Sequence, residues 1–137
     1  MPLEVSAPFH CSLMRPAAEK LALELARVRF APPEAPIVTN VEATACRDAS
    51  RLPALLEQQV TAPVRFTEMI ELLGASGVDR VLEIGPGRVL VGLVARVSRG
   101  LARQSLGIAK ELDDAADFAA GQVARSEPQA SEGQGKR

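Results

Sequence analysis

Apolar residues recur every three or four positions between Met14 and Val28: Met14, Ala17, Leu21, Leu25 and Val28 share one stripe, while Arg15, Glu19 and Lys20 fall outside it. That spacing predicts an amphipathic helix running to about residue 29, capped by Ser12, with Pro16 tolerated in its first turn. Residues 3–6 read as a short strand ahead of it. After the breaker Ala-Pro-Pro-Glu-Ala-Pro, the β-branched run at 37–41 reads as a second strand. Ser50 is placed to cap a helix with Pro53 near its start and Leu52, Leu55 and Leu56 inward, ending near Val60. A further helix is expected over 65–75, closed by Ala75, Ser76 and Gly77. Residues 78–84 form the clearest strand, followed by Gly85, Pro86 and Gly87 and then a very apolar helix. A short strand at 106–109 and a last helix over 111–124 complete the order.

Strands alternating with helices indicate an α/β architecture with parallel pairing. Parallel strands are buried on both faces and need neighbours, so three or four short strands beside such apolar helices read as part of a larger sheet. No internal repeat is visible. Residues 1–125 are expected to be one structural piece. The stretch 126–137 has no large apolar residue and is expected to be a disordered tail.

Charge narrows the possible partners. Sixteen basic and seventeen acidic residues, net charge −1, are scattered along the predicted helices, which argues against a nucleic-acid binder with its basic face. Aromatics make up only 3% of the 137 residues, leaving no base-stacking platform. No apolar run is long enough for a membrane span and the first residues do not read as a signal peptide, so a cytoplasmic protein with no membrane partner is expected. Two cysteines, Cys11 and Cys46, are expected as free thiols. With one histidine and no paired C-x-x-C spacing, neither a metal nor a cofactor is expected.

The single histidine, His10, stands just ahead of the first predicted helix, in Ser-Ala-Pro-Phe-His-Cys-Ser-Leu-Met. A helix amino terminus downstream favours the neutral ring that a general base requires. A histidine that merely packs in its loop or caps the helix fits the same position. Gly85-Pro86-Gly87 between a strand and a helix invites a phosphate-cradle reading. Yet it is not G-x-G-x-x-G, no Lys-Ser/Thr follows, and Pro86 lacks a donor, so a tight structural turn is the preferred reading.

Four separated motifs carry a resemblance: SAPFHCSLMRPAAEKL, PIVTNV, QQVTAPVRF and VLEIGPGRVLVGLVARV. In order and spacing they resemble the carboxy-terminal part of malonyl-CoA:acyl carrier protein transacylases, over nearly the whole chain to about residue 110. The resemblance implies part of an α/β-hydrolase-like acyltransferase large subdomain, incomplete in this chain. It also implies the chemistry of acyl transfer in fatty acid biosynthesis, with malonyl-CoA and acyl carrier protein as partners. In that family a serine in a G-x-S-x-G elbow attacks the thioester, and a histidine takes its proton and later activates the carrier protein's pantetheine thiol. By resemblance His10 is that general base. A glutamine backbone carbonyl fixes the tautomer of the histidine. Counting back from Pro63 and Val64 puts it at Gln59, with Gln58 adjacent as the fallback. Phe9, before the histidine, is implied as a substrate-binding residue that favours malonyl over a bulkier acyl group.

The nucleophile departs from the family pattern. None of Ser6, Ser12, Ser50, Ser76, Ser98, Ser105, Ser126 and Ser131 lies in G-x-S-x-G. Cys11 adjoins His10, but adjacent side chains point apart, and Cys46 lies where no family residue acts. The expectation is therefore a carboxy-terminal segment that supplies the base of a Ser-His mechanism and is inactive by itself. An amino-terminal half bringing the serine is the implied partner. The alternatives are a non-catalytic module binding carrier protein or thioester, or an inactive truncated gene product.

Overall fold

The computed structural model describes residues 8–121, which form two compact units, one ending at Val78 and one beginning at Asp79. The strand expected over 3–6 and the tail expected over 126–137 lie outside the described residues.

In the first unit a 3₁₀ turn, Ser12–Met14, leads into α1, Arg15–Leu25, with Pro16 in the first helical turn. Ser12 is the first residue of the turn and caps nothing; the chain enters through Cys11 in extended backbone, without a side-chain cap. The helix stops after Leu25, short of the expected residue 29. Its inner face is centred on buried Ala18, with Met14, Leu21 and Leu25 half-buried, whereas Ala17 and Val28 are exposed. The stripe is thus turned by one position from the sequence reading, and α1 packs this face on α2, Leu52–Gln58.

Two short strands precede α2. β1, Ile37–Val38, pairs antiparallel with β2, Ala45–Cys46, in the register Ile37↔Cys46 and Val38↔Ala45. The strand expected over 37–41 is cut short because Thr39 turns the chain back: its carbonyl accepts the Ala43 N–H at 3.0 Å, and Ala43 takes φ +51°. Asp48, not Ser50, is the cap that follows. Its carboxylate accepts both the N–H and the hydroxyl of Ser50, at 2.9 and 2.6 Å, and starts a 3₁₀ turn, Ala49–Arg51, that runs into α2. The hydrogen bond from Ser50 holds the Asp48 carboxyl below its ordinary pKa. Cys46, Leu52 and Leu55 are buried together, with Phe30 packed against them. This core joins the beginning of α2 to the small sheet.

The next helix, α3, Phe66–Ala75, ends as its Ala-Ser-Gly sequence predicts. Gly77, at φ +84°, donates to the Gly74 carbonyl, and Val78 donates to that of Leu73. These two bonds make the glycine-dependent close of a Schellman motif.

The second unit is a strand–helix–strand crossover with a helix appended. β3, Arg80–Ile84, and β4, Ala102–Leu106, run parallel in register from Arg80↔Ala102 to Ile84↔Leu106. α4, Val89–Val97, joins them and packs on both, as does α5, Leu112–Ala119. The last strand lies four residues before the expected 106–109. Its sequence Ala-Arg-Gln-Ser-Leu is polar, and only the pairing with β3 makes it a strand. α5 is fastened by Arg80, whose guanidinium donates to the Phe118 carbonyl at 2.8 Å and lies 5.9 Å from the Phe118 ring centre. Ile84 and Val89 are 75% and 69% exposed, an apolar surface at the carboxyl end of β3. Among the described residues, no helix is long and apolar enough to cross a membrane.

The α/β expectation with a small parallel sheet is met in the second unit. In the first unit the strands pair antiparallel instead, joined by a short loop with no crossover helix, as an antiparallel pair allows.

Candidate functional site

His10 sits at φ +57°, in the left-handed region that costs a residue with a side chain about 1 to 2 kcal/mol. The conformation is maintained by long-range contact: Nδ1 lies 2.7 Å from the Gln59 backbone carbonyl, 49 residues away in sequence. With a carbonyl opposite it, Nδ1 must carry the proton, since an oxygen acceptor requires a donor. The lone pair is then on Nε2. The residue is exposed, and Gln59 O is the ring's only hydrogen-bond partner among the described residues. A ring so held can accept a proton at Nε2 from a group approaching from solvent.

Gln59 supplies that carbonyl because of where α2 ends. It is the residue following the last helical position, with φ −60° and ψ −22°, and terminal carbonyls of a helix have no partner within the helix. The neighbouring carbonyls of Glu57 and Gln58 are taken by Val60, Thr61 and Ala62 N–H groups. The Gln59 carbonyl is left for the imidazole. Its side chain also has a partner: Asn40 Nδ2 donates to Gln59 Oε1 at 3.3 Å in a partly buried contact. Asn40 belongs to the run of residues expected to form a strand. An amide in an otherwise β-branched stretch was the only sign that this position faces another polar group.

Phe9, the residue before His10, is 58% exposed. Gln58 gives its carbonyl to backbone N–H groups of Thr61 and Ala62. Cys11 is partly buried and its thiol donates to the Pro8 carbonyl at 3.0 Å; Cys46 is buried and donates to the Asp48 carbonyl at 3.5 Å. Neither thiol engages His10. No cluster of three or more His, Cys, Asp or Glu suited to a metal occurs among the described residues.

The Gly85-Pro86-Gly87 turn has its own internal anion. Glu83, on β3, accepts the N–H groups of Leu90 and Val91 at 3.1 and 2.8 Å, two of the free donors in the first turn of α4. The carboxylate takes the place a phosphate would need. Gly85 and Gly87 stand at φ +136° and +97°, which lets the chain reverse between β3 and α4. A residue that sequence inspection passed over, Glu83, thus decides the turn in favour of structure. The detectable signal was an acid inside an apolar strand just before the glycines.

No protein-family model matches the chain. Over 106 residues, 77% of this chain, it is 43% identical to the malonyl CoA-acyl carrier protein transacylase of Salmonella typhimurium, of which it covers 34%. The chain thus spans about a third of the length of the curated relatives it matches. Among solved structures it is similar to the acyl-carrier-protein S-malonyltransferase of Bartonella henselae, with a TM-score of 0.78 and 40% identity, over 87% of this chain and 38% of that one. It is also similar to a malonyl-transacylase solved in complex with a type II PKS acyl-carrier protein, with a TM-score of 0.77 and 41% identity, over 86% of this chain and 38% of the other.

Proposed function

The chain is related to the carboxy-terminal part of the malonyl CoA-acyl carrier protein transacylases, and from that premise we propose that it supplies the general base of a serine-dependent malonyl transfer. The observation that carries the reading is the 2.7 Å contact from His10 Nδ1 to the Gln59 carbonyl, which leaves Nε2 as a proton acceptor on an exposed ring.

In the proposed reaction the serine arrives with an amino-terminal part. Its hydroxyl oxygen attacks the malonyl thioester carbonyl as Nε2 of His10 takes the hydroxyl proton. The tetrahedral intermediate collapses, the C–S bond breaks, and the imidazolium returns the proton to the departing CoA thiolate. The malonyl-serine ester is then attacked by the pantetheine thiol of an acyl carrier protein, again with His10 as proton acceptor, and serine leaves with that proton. The Gln59 carbonyl holds the tautomer and stabilises the imidazolium through both steps. Phe9, beside the base, narrows the space open to the acyl group. The acyltransferase part takes in residues 1–125, and the proposed setting is the cytoplasm.

No serine of the sequence lies in G-x-S-x-G, and a base without its nucleophile cannot carry the transfer, so the chain alone is expected to be inactive. The test is transfer of labelled malonyl from malonyl-CoA to carrier protein, by the chain alone and mixed with an amino-terminal half containing the G-x-S-x-G elbow. The mixture should transfer, and His10→Ala in the mixture should not. Turnover by the unmixed chain that disappears in His10→Ala would refute the proposal, as would a transferring mixture indifferent to that substitution.

A further inference from the structure

A carbonyl can orient an imidazole only if it is itself held, and Gln59 stands where a helix gives out. Resting on the reading above, we propose that Asn40 is a positioning residue for His10, acting through the side chain of Gln59. The side-chain amide and the backbone carbonyl of Gln59 share one Cα. Anchoring the amide at Asn40 therefore restricts the rotation of the residue that follows α2 and, with it, the direction of the carbonyl.

Asn40 is suited to this because its own loop is tied down on several sides. Its carbonyl accepts the Arg65 N–H at 3.0 Å, and Arg65 Nη1 donates to the Glu42 carbonyl at 2.9 Å. The Arg65 guanidinium is paired with Glu68 on α3, and the Glu42 carboxylate receives Arg51 Nη2 at 2.6 Å, just before α2. The loop thus grips α2 near its start through Arg51 and at its end through Gln59. Fixed groups of this kind are how a supporting layer of hydrogen bonds sets the geometry of a reacting side chain.

One histidine in 137 residues makes the inference directly measurable. In the ¹⁵N-labelled full chain, a long-range ¹H–¹⁵N correlation spectrum at alkaline pH reports the ratio of Nδ1–H to Nε2–H tautomers of His10 alone. The Nδ1–H form is the minor one in an unconstrained imidazole, so its excess measures the grip of the carbonyl. Asn40→Ala should lower that ratio about two- to tenfold, the range set by loss of one net hydrogen bond. Gln59→Ala, which keeps the carbonyl but removes the anchor, should lower it similarly, and the double variant should go no further. Asn40→Asp should retain most of the ratio, because the Gln59 amide can turn over and donate to the carboxylate. Asn40→Leu, nearly isosteric, is the second variant if Asn40→Ala unfolds, and should behave as Asn40→Ala does.

An unchanged ratio in a folded Asn40→Ala or Asn40→Leu chain would overturn the proposal, and so would additive effects of Asn40→Ala and Gln59→Ala. The ratio is read without any transfer reaction. A mixture that transfers nothing therefore removes the catalytic reading and leaves the tautomer result standing, whereas an unmoved ratio beside a transferring mixture removes Asn40 alone.

Discussion

His10 and Gln59 meet through a ring nitrogen and a backbone oxygen 2.7 Å apart, at a sequence separation of 49 positions. One partner contributes its side chain and the other only its main chain, and substitution should treat them unequally. In the reconstituted transfer assay, His10→Ala is expected to lower kcat about 10²- to 10⁴-fold, the usual share of a general base. Gln59→Ala should cost about tenfold or less, since the carbonyl survives. Steady-state kinetics on the mixture measure both.

The backbone of His10 makes a separate prediction. At φ +57° an alanine keeps the steric cost that a glycine does not. After allowance for the greater freedom of glycine in the unfolded chain, His10→Gly should be about 0.5 to 1 kcal/mol more stable than His10→Ala. Paired urea titrations give the difference.

Glu83 should matter to stability and not to ligand binding. It satisfies two donors at the start of α4, so Glu83→Ala is expected to destabilise the chain by about 1 to 3 kcal/mol. A fluorescent nucleotide titrated against the parent chain should show no saturable binding, because the carboxylate already occupies the helix terminus. Denaturant midpoints and the titration together check the assignment.

Asp48 introduces a pH dependence whose sign follows from its cap. The hydrogen bonds from Ser50 depress its pKa in the folded state, so its contribution is present above the ordinary carboxylate value and is lost as pH falls through the depressed one. The urea midpoint of the parent chain should fall below about pH 4. In Asp48→Asn this part of the acid dependence should be absent. A series of midpoints between neutral and strongly acid pH checks it.

Long periodic segments were readable from the sequence, as were punctuating residues. α3 ends at the glycine that its Ala-Ser-Gly sequence indicated, and β3 runs into the glycine-proline-glycine turn as expected. What escaped were features created by partners. β2 consists of Ala45 and Cys46, which carry no strand signal until Ile37 and Val38 lie beside them. β4 is polar and is a strand only because β3 offers a parallel edge. Ser50 has the chemistry of a cap, but Asp48 two residues earlier accepts from it and takes the role. At the site, the resemblance led to an expected meeting of His10 with the Gln59 carbonyl, found by counting back from Pro63 and Val64, and the two groups lie 2.7 Å apart; the catalytic roles proposed for them rest on that resemblance. Asn40 was not, since a side-chain amide meeting another side-chain amide leaves no spacing to read.

The carbonyls that terminate α2 and α5 answer distant side chains in the same manner, Gln59 to His10 and Phe118 to Arg80. Both attachments are written in the peptide linkage itself, out of reach of the genetic code's twenty letters. Alanine at Gln59 or Phe118 would leave both acceptors in place, whereas replacing the amide after either residue by an ester would weaken the acceptor and loosen the joint without altering a single side chain.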